Sequence, residues 1–222
     1  MEYRYETHCH SSQCSRCAHS TAQELVRAYH RAGFSGLVLT DHFVLGNTSV
    51  DCTLPWEEQM QQYESAYLDA VKEATPLDFD VIFGFEHACE GADYLCYGIT
   101  PNILRSHPEI PGLSLQQFSD LVHSYGGVLI QAHPYRWCPA GTPLRLELLD
   151  GIEVYNAGNA PIANAAAQEA AKEGMILTSG GDIHIATDAK IGTAGITLPY
   201  RITDTLQLAQ ALLRGDYSLI TP

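Results

Sequence analysis

The sequence predicts an α/β fold in which parallel strands alternate with helices, most simply a β/α barrel. Apolar runs of strand length alternate with amphipathic stretches along most of the 222 residues, and residues that can bind metals follow several of these runs. An open doubly wound sheet is the alternative arrangement. We expect a single domain over residues 1–222, because a chain of this length supports one large core and no linker interrupts the pattern.

The first half of the chain contains clear start and stop signals for a helix. Thr21 and Glu24 have the spacing of a capping box, and Gly33 supplies a stop. These signals predict a helix from about Thr21 to Ala32, after a first strand from Tyr3 to His10. The elements predicted next are a strand over Gly36–Thr40, a helix over Trp56–Ala74 and a strand over Asp80–Glu86.

The second half repeats the alternation. Ser114 and Gln117 form another capping-box pair, and a loop that contains several prolines precedes them, over residues 101–111. The predicted strands are Tyr94–Ile99, Val128–His133, Gly151–Tyr155 and Met175–Gly180, and the predicted helices begin at Ser114, Pro161 and Leu206.

Composition limits the classes of partner. The chain has 26 acidic and 12 basic residues and a formal net charge of −14, so nucleic acid is not expected as a partner and a small phosphorylated substrate is favoured. The sequence has no apolar run of about 20 residues and no secretory signal, so we expect no membrane contact and a cytoplasmic location. The 7 cysteines include one CxxC pair, Cys14 and Cys17, and are interpreted as reduced thiols.

Histidines and carboxylates cluster where predicted strands end. Because the carboxyl ends of parallel strands meet at one face, these side chains should converge although they are far apart in sequence. A single histidine pair of this kind would be weak evidence, but five strand ends together predict a metal site. The residues are His8 and His10, Asp41 and His42, Glu86, His133, and Asp182 and His184.

The spacing within each pair suggests a role for each residue. Side chains two positions apart share a face of a strand, so His8 and His10 can both face one ion. Asp182 and His184 have the same spacing. Adjacent Asp41 and His42 cannot both do so, so we assign His42 as a ligand and Asp41 as an acceptor that orients an imidazole. Imidazole with carboxylate ligation fits zinc, manganese or iron and favours more than one ion.

Five segments together resemble the motifs of the PHP (polymerase and histidinol phosphatase) family, over about residues 3–185. The resemblance implies a distorted (β/α)₇ TIM-like barrel, two or three divalent metal ions (zinc, manganese or iron) and hydrolysis of phosphoester bonds. The segments are Thr7-His8-Cys9-His10, Leu39-Thr40-Asp41-His42, Gly84-Phe85-Glu86, Ala132-His133-Pro134 and Gly181-Asp182-Ile183-His184.

The resemblance also implies a ligand set. His8, His10, Glu86 and Asp182 would hold one metal, Glu86 would bridge to a second that His133 binds, and His42 and His184 would hold a third. Two positions depart from the usual pattern. Asp93 stands where the family often has a histidine ligand and could itself bind the metal. Cys17 aligns with an aspartate or histidine ligand of the family, and His19 lies two residues further on; either of them, or neither, could hold the third metal.

The sequence also suggests a class of substrate and a mechanism. Arg16 and Arg136 follow metal-binding motifs and could bind a phosphate as catalytic residues, with surface solubility as the alternative. The favoured substrate is a small phosphate monoester attacked by metal-activated water, as in a histidinol phosphatase or a nucleotide or sugar phosphatase. The family also contains exonucleases and protein-tyrosine phosphatases, which remain alternatives.

Two other classes of protein are alternatives to this interpretation. A metal-dependent amidohydrolase also places histidines and aspartates on barrel strand ends, but it uses a lysine between its metals. The three lysines here, Lys72, Lys172 and Lys190, lie outside the predicted barrel strands. A non-catalytic metal-binding domain is the other alternative.

Overall fold

The computed structural model describes residues 2–136 and 144–222. The helices are α1 (Ala22–Arg31), α2 (Trp56–Ala74), α3 (Pro101–Arg105), α4 (Leu115–Ser124), α5 (Pro161–Ala170) and α6 (Thr205–Arg214). The strands are β1 (Tyr3–Cys9), β2 (Gly36–Leu39), β3 (Asp80–Phe83), β4 (Phe85–Cys89), β5 (Ala92–Tyr97), β6 (Val128–Gln131), β7 (Gly151–Asn156), β8 (Ile176–Gly180), β9 (Gly195–Leu198) and β10 (Ser218–Ile220). None of the helices in these residues is long and apolar enough to span a membrane.

Both predicted capping boxes are confirmed. The Thr21 side chain accepts a hydrogen bond from the backbone N–H of Glu24, and the Glu24 carboxylate accepts one from the backbone N–H of Thr21. Ser114 and Gln117 make the same reciprocal pair at the start of α4. Gly33, with a φ of +77°, follows the last residues of α1. The left-handed conformation that ends this helix suits glycine, which has no Cβ to clash.

The strands form two five-stranded sheets, with orders β10-β9-β1-β2-β3 and β4-β5-β6-β7-β8. The prediction of one strand over Asp80–Glu86 is therefore wrong, since the chain leaves the first sheet after β3 and enters the second at β4. The break falls at Gly84, where a Cβ would lie 2.9 Å from Val38 Cγ1. The strands β9 and β10 were not predicted.

The expectation that all strands run parallel is also wrong. The strands β4 and β5 are antiparallel, and β5 and β6 are antiparallel too. Only Glu90 and Gly91 separate β4 from β5, and both have positive φ angles, 49° and 83°. A connection of two residues is too short for the crossover that a parallel pair needs, so it forces a hairpin.

The two sheets lie next to each other, but the hydrogen-bonded pairing of their strands does not continue from one sheet to the other to close a barrel. Single parallel bridges connect Cys9 with Ile183 and His42 with Glu86, at the carboxyl ends of β1 and β2. The fold is thus a mixed α/β arrangement, and the (β/α)₇ barrel implied by the resemblance is not confirmed.

The core lies on both faces of the sheets. Leu37 and Leu39 of β2 belong to an outer cluster with Leu25 and Tyr29 of α1, whereas Val38 belongs to a different, inner cluster. The inner cluster also contains Ile82 of β3 and Leu95, Ile130 and Ile176 of the second sheet. Residues alternate between the two faces of a strand, so β1, β2, β3, β5 and β6 each contribute to both clusters. This packing fixes the strand ends that carry the site.

Candidate metal centre

Three overlapping groups of predicted ligands converge where β1, β2, β4, β6 and β8 meet. In each group the potential ligand atoms all lie within 4.8 Å of one another. The groups are His8, His10 and Asp182; His8, Glu86 and His133; and His10, His42 and His184. The structure therefore brings together seven residues that lie between positions 8 and 184 of the sequence.

Glu86 lies at the centre of this cluster and is completely buried. Its Oε1 atom lies 2.8 Å from His133 Nε2 and 3.5 Å from His8 Nε2. Its Oε2 atom lies 2.8 Å from His42 Nδ1. A carboxylate with imidazoles on both oxygens has the arrangement of a bridging ligand.

Asp182 lies on the other side of His8 and His10. Its Oδ1 atom lies 3.1 Å from His10 Nε2 and 3.5 Å from His8 Nε2, while its Oδ2 atom lies 2.5 Å from an Nη1 of Arg136. His133 and Asp182 have positive φ angles of 27° and 51°. Backbone strain at non-glycine residues is concentrated at functional sites, because surrounding contacts must hold it in place.

The ring nitrogens of His8 and His10 provide the sharpest test of whether a cation fits. Their Nε2 atoms lie only 3.0 Å apart. His8 Nδ1 lies 3.0 Å from the Glu153 carboxylate, which assigns the first proton of that ring to Nδ1. Burial opposes the charged form, but Asp182 and Glu153 raise the pKa of His8 well above its usual value. A single cation, either a proton or a metal ion, therefore fits between the two Nε2 atoms.

Ser15 connects Asp41 to His10 and orients the His10 ring. Ser15 Oγ donates to Asp41 Oδ1 at 2.7 Å and accepts from the backbone N–H of His42, so it meets His10 Nδ1, 3.2 Å away, as an acceptor. Asp41, predicted to orient an imidazole, therefore reaches His10 through Ser15, because its carboxylate accepts hydrogen bonds from Ser11 and Ser15. The Nε2 atom of His10 is left unprotonated, and burial lowers the pKa of His10 to about 3. A neutral imidazole is the form that binds metals.

One pair of buried atoms has no hydrogen-bond partner among the described residues. His42 Nδ1 and Glu86 Oε2 are 2.8 Å apart, but their orientation does not make a hydrogen bond. Burial raises the pKa of Glu86, yet the neighbouring imidazoles of His133, His42 and His8 outweigh it and bring this pKa well below its usual value. An ionised carboxylate beside an unsatisfied imidazole nitrogen fits a divalent cation.

Cys17 and His19 occupy different surroundings. Cys17 Sγ lies 3.1 Å from His184 Nε2 in the cavity, whereas the side chain of His19 is exposed. Burial raises the pKa of the Cys17 thiol, but hydrogen bonds from His184 and His42 lower it to about 6. A thiolate is therefore available beside the group of His10, His42 and His184.

The cavity above the cluster has a volume of ≈ 380 Å³. Eight of the predicted site residues line it, together with Asn47, while His8 and His10 are buried beneath. Asp93 is one of the eight, and its Oδ2 atom lies 4.0 Å from His133 Nε2. Arg136 also lines it, whereas the exposed Arg16 does not. The structure does not bring Arg16 into the site.

Two buried carboxylates of the site were not predicted, Glu6 and Glu153. Glu6 Oε1 accepts backbone hydrogen bonds from Thr7, His8 and Gly181, and burial raises the pKa of Glu6 to about 7. Both residues stand inside largely buried strands, Glu6 in β1 and Glu153 in the run Gly-Ile-Glu-Val-Tyr of β7. A charged residue within a buried strand is rarely tolerated without partners, and that was the available signal.

Comparison with known proteins decides the family. The profile of the PHP domain matches residues 6–181. The chain belongs to the PHP domain family. Membership supports the prediction of a hydrolase that acts on phosphoester bonds. No curated protein matches the chain.

Solved structures share the fold of this PHP protein at low sequence identity. A Bifidobacterium adolescentis protein, itself only predicted to be a metal-dependent phosphoesterase, has a TM-score of 0.58 and 15% identity, with 96% of each chain covered. An amidohydrolase from Chromobacterium violaceum has a TM-score of 0.60 and 14% identity, over 94% of this chain and 96% of its own. Endonuclease Q, in complex with a 27-mer duplex that carries an abasic lesion at the active site, has a TM-score of 0.63 and 11% identity. The match covers 99% of this chain and 58% of Endonuclease Q.

The last of these structures corrects one prediction. From the acidic composition we did not expect nucleic acid as a partner, and that expectation is wrong. A protein with this fold acts on duplex DNA, so a nucleic acid substrate is plausible for the fold. Net charge describes the whole surface, whereas binding depends on the charges that line one site.

Proposed function

We propose that this PHP protein is a metal-dependent phosphoesterase that hydrolyses a small phosphate monoester. The observation that carries the proposal is the contact of Glu86 with three imidazoles, those of His8, His42 and His133, under a cavity that also contains Arg136. Imidazole and carboxylate groups in this arrangement fit a centre with more than one metal ion.

The predicted ligands would form three metal positions. One ion would be held by His8, His10, Glu86 and Asp182. A second would be held by Glu86 and His133, with Asp93 nearby, and a third by His42, His184 and Cys17. When bound, such ions polarise phosphoryl oxygens and lower the pKa of a coordinated water. Arg136, whose Nη1 atom bonds to Asp182, provides a guanidinium at the wall of the cavity to orient a phosphate.

A phosphodiester in nucleic acid is the second candidate substrate. The observation that favours it is the shared fold of Endonuclease Q with its duplex substrate. The amidohydrolase alternative also has a neighbour with this fold, but Lys72, Lys172 and Lys190 are all exposed. They cannot provide a lysine between the metal ions.

A panel of substrates separates these candidates. With zinc, manganese or iron added to the protein, we expect an aryl phosphate monoester to be hydrolysed with a kcat/KM at least about tenfold above that of the matching aryl phosphodiester, a difference of about 1.4 kcal/mol. An abasic duplex and a simple amide complete the panel. Faster cleavage of the duplex would favour the second candidate, and failure of all phosphoesters would contradict the proposal.

Cys17 and His19 allow a matched test of the third metal position. We expect Cys17→Ala to lose one equivalent of bound metal, because Cys17 Sγ lies beside His184, whereas His19→Ala should lose none. Elemental analysis of both variants beside the wild type measures this. A loss of metal in His19→Ala alone would give the position to His19.

A thiolate in the third position also affects the choice of metal. Thiolate ligands favour zinc and iron over manganese. We therefore expect Cys17→Asp, which substitutes a hard oxygen ligand, to shift the preference of that position towards manganese. An unchanged preference would argue against ligation by Cys17.

A further inference from the structure

We propose that Glu153 is a positioning residue that fixes the tautomer of His8 and couples both sides of the metal centre through Arg136. Glu153 is completely buried in β7 and lines no part of the cavity. Its Oε1 atom lies 3.0 Å from His8 Nδ1. Its Oε2 atom accepts hydrogen bonds from the backbone N–H of His133 at 2.7 Å and from Asn156 Nδ2 at 2.8 Å.

These contacts belong to a closed circuit of hydrogen bonds and ion pairs. Asn156 Oδ1 accepts from an Nη2 of Arg136 at 2.7 Å, and Nη1 of the same guanidinium lies 2.5 Å from Asp182 Oδ2. Asp182 Oδ1 then faces the Nε2 atoms of His8 and His10 at 3.5 and 3.1 Å. The circuit starts and ends on His8, so a displacement of Glu153 reaches both the imidazole and the opposing carboxylate.

The local backbone is shaped around this carboxylate. Gly180 of β8 lies against it, and a Cβ at that position would overlap Glu153 Oε1. The Glu153 hydrogen bond to His133 also holds a residue with a φ of 27°. A strained ligand backbone needs such a fixed partner.

This circuit of hydrogen bonds requires a group at position 153 that only accepts hydrogen bonds, as a carboxylate does. In Glu153→Gln, an amide oxygen towards His8 would put the amide NH₂ against the N–H groups of His133 and Asn156. The reverse orientation would put the NH₂ against His8 Nδ1 and move the ring proton to Nε2, which faces His10 Nε2 at 3.0 Å. The first orientation opposes donors to donors. The second places a proton on the His8 Nε2 atom that would otherwise bind the metal ion, so a substitution of equal size removes the function in either case.

Zinc affinity tests this inference, which rests on the metal-binding part of the proposed function. We expect Glu153→Gln to raise the zinc dissociation constant by about 10-fold to 100-fold, as for other groups that orient metal ligands. Competition with a chromophoric chelator measures it. Asp80→Asn is the matched control: Asp80 is a buried carboxylate that binds Tyr5 and Arg201 at the opposite end of the strands, and this variant should bind zinc like the wild type.

The outcomes distinguish the inference from the proposed function. Wild-type affinity in Glu153→Gln, or an equal loss in Asp80→Asn, would overturn the role of Glu153 while the metal centre stands. A wild-type protein that binds no zinc would overturn both. Should Glu153→Gln fail to fold, ¹⁵N spectra of the zinc-loaded wild type decide: His8 protonated at Nδ1 supports the inference, and His8 protonated at Nε2 overturns it.

Discussion

Replacing His8 and His10 together with alanine is expected to lower phosphoester hydrolysis by about 1,000-fold or more, because several kcal/mol of metal-derived stabilisation would be lost. Their Nε2 atoms lie 3.0 Å apart, and both face Asp182. Removal of both rings therefore takes two ligands from the same ion. Turnover of an aryl phosphate and elemental analysis of the purified variant measure the two effects together.

The control for this experiment is a second pair of histidines. His107 and His123 bond to Glu109 and Asp150, respectively, and neither lines the cavity. We expect His107→Ala with His123→Ala to keep both metal and turnover. A double variant of His8 and His10 with full activity would remove these residues from the site.

Replacing Glu86 with glutamine is expected to have an effect nearly as large. The carboxylate contacts His133 with one oxygen and His42 with the other, so the amide would present a donor to one of them and remove the negative charge. We expect turnover to fall by at least about 100-fold, since breaking a buried charged pair costs about 3–5 kcal/mol. Metal content should fall as well.

Glu90 provides the comparison for Glu86 within the same hairpin. It lies in the two-residue turn between β4 and β5 and bonds to the backbone N–H of Leu115, away from the cavity. Glu90→Gln should therefore retain turnover and metal. If Glu86→Gln retained both to the same degree, Glu86 would not be a ligand.

The sequence predicted the convergence of the site well, for a physical reason. His8, His42, His133 and Asp182 lie in or just after strands, and parallel strands bring their carboxyl ends to one face even where the ladders do not close. The predicted convergence of these side chains therefore did not depend on a closed barrel. The hairpin of β4 and β5 was missed because its Glu90-Gly91 turn was not recognised as a turn of two residues.

The groups that orient the ligands could not be predicted in the same way. Ser15, Glu153 and Asn156 carry no motif, and their roles depend on contacts across strands, such as the 3.0 Å approach of Glu153 to His8. Cys17 and His19 could not be separated from spacing alone, because the loop after β1 directs one into the cavity and the other to solvent. Sequence spacing gives the face of a regular strand but not the direction of a loop side chain.

The most direct test of the account is turnover measured against bound metal. Protein stripped with a chelator should hydrolyse an aryl phosphate monoester at no measurable rate, and activity should rise with added zinc, manganese or iron to a plateau at two or three equivalents, determined by elemental analysis. The result that would contradict the account is full turnover by protein shown to contain no metal.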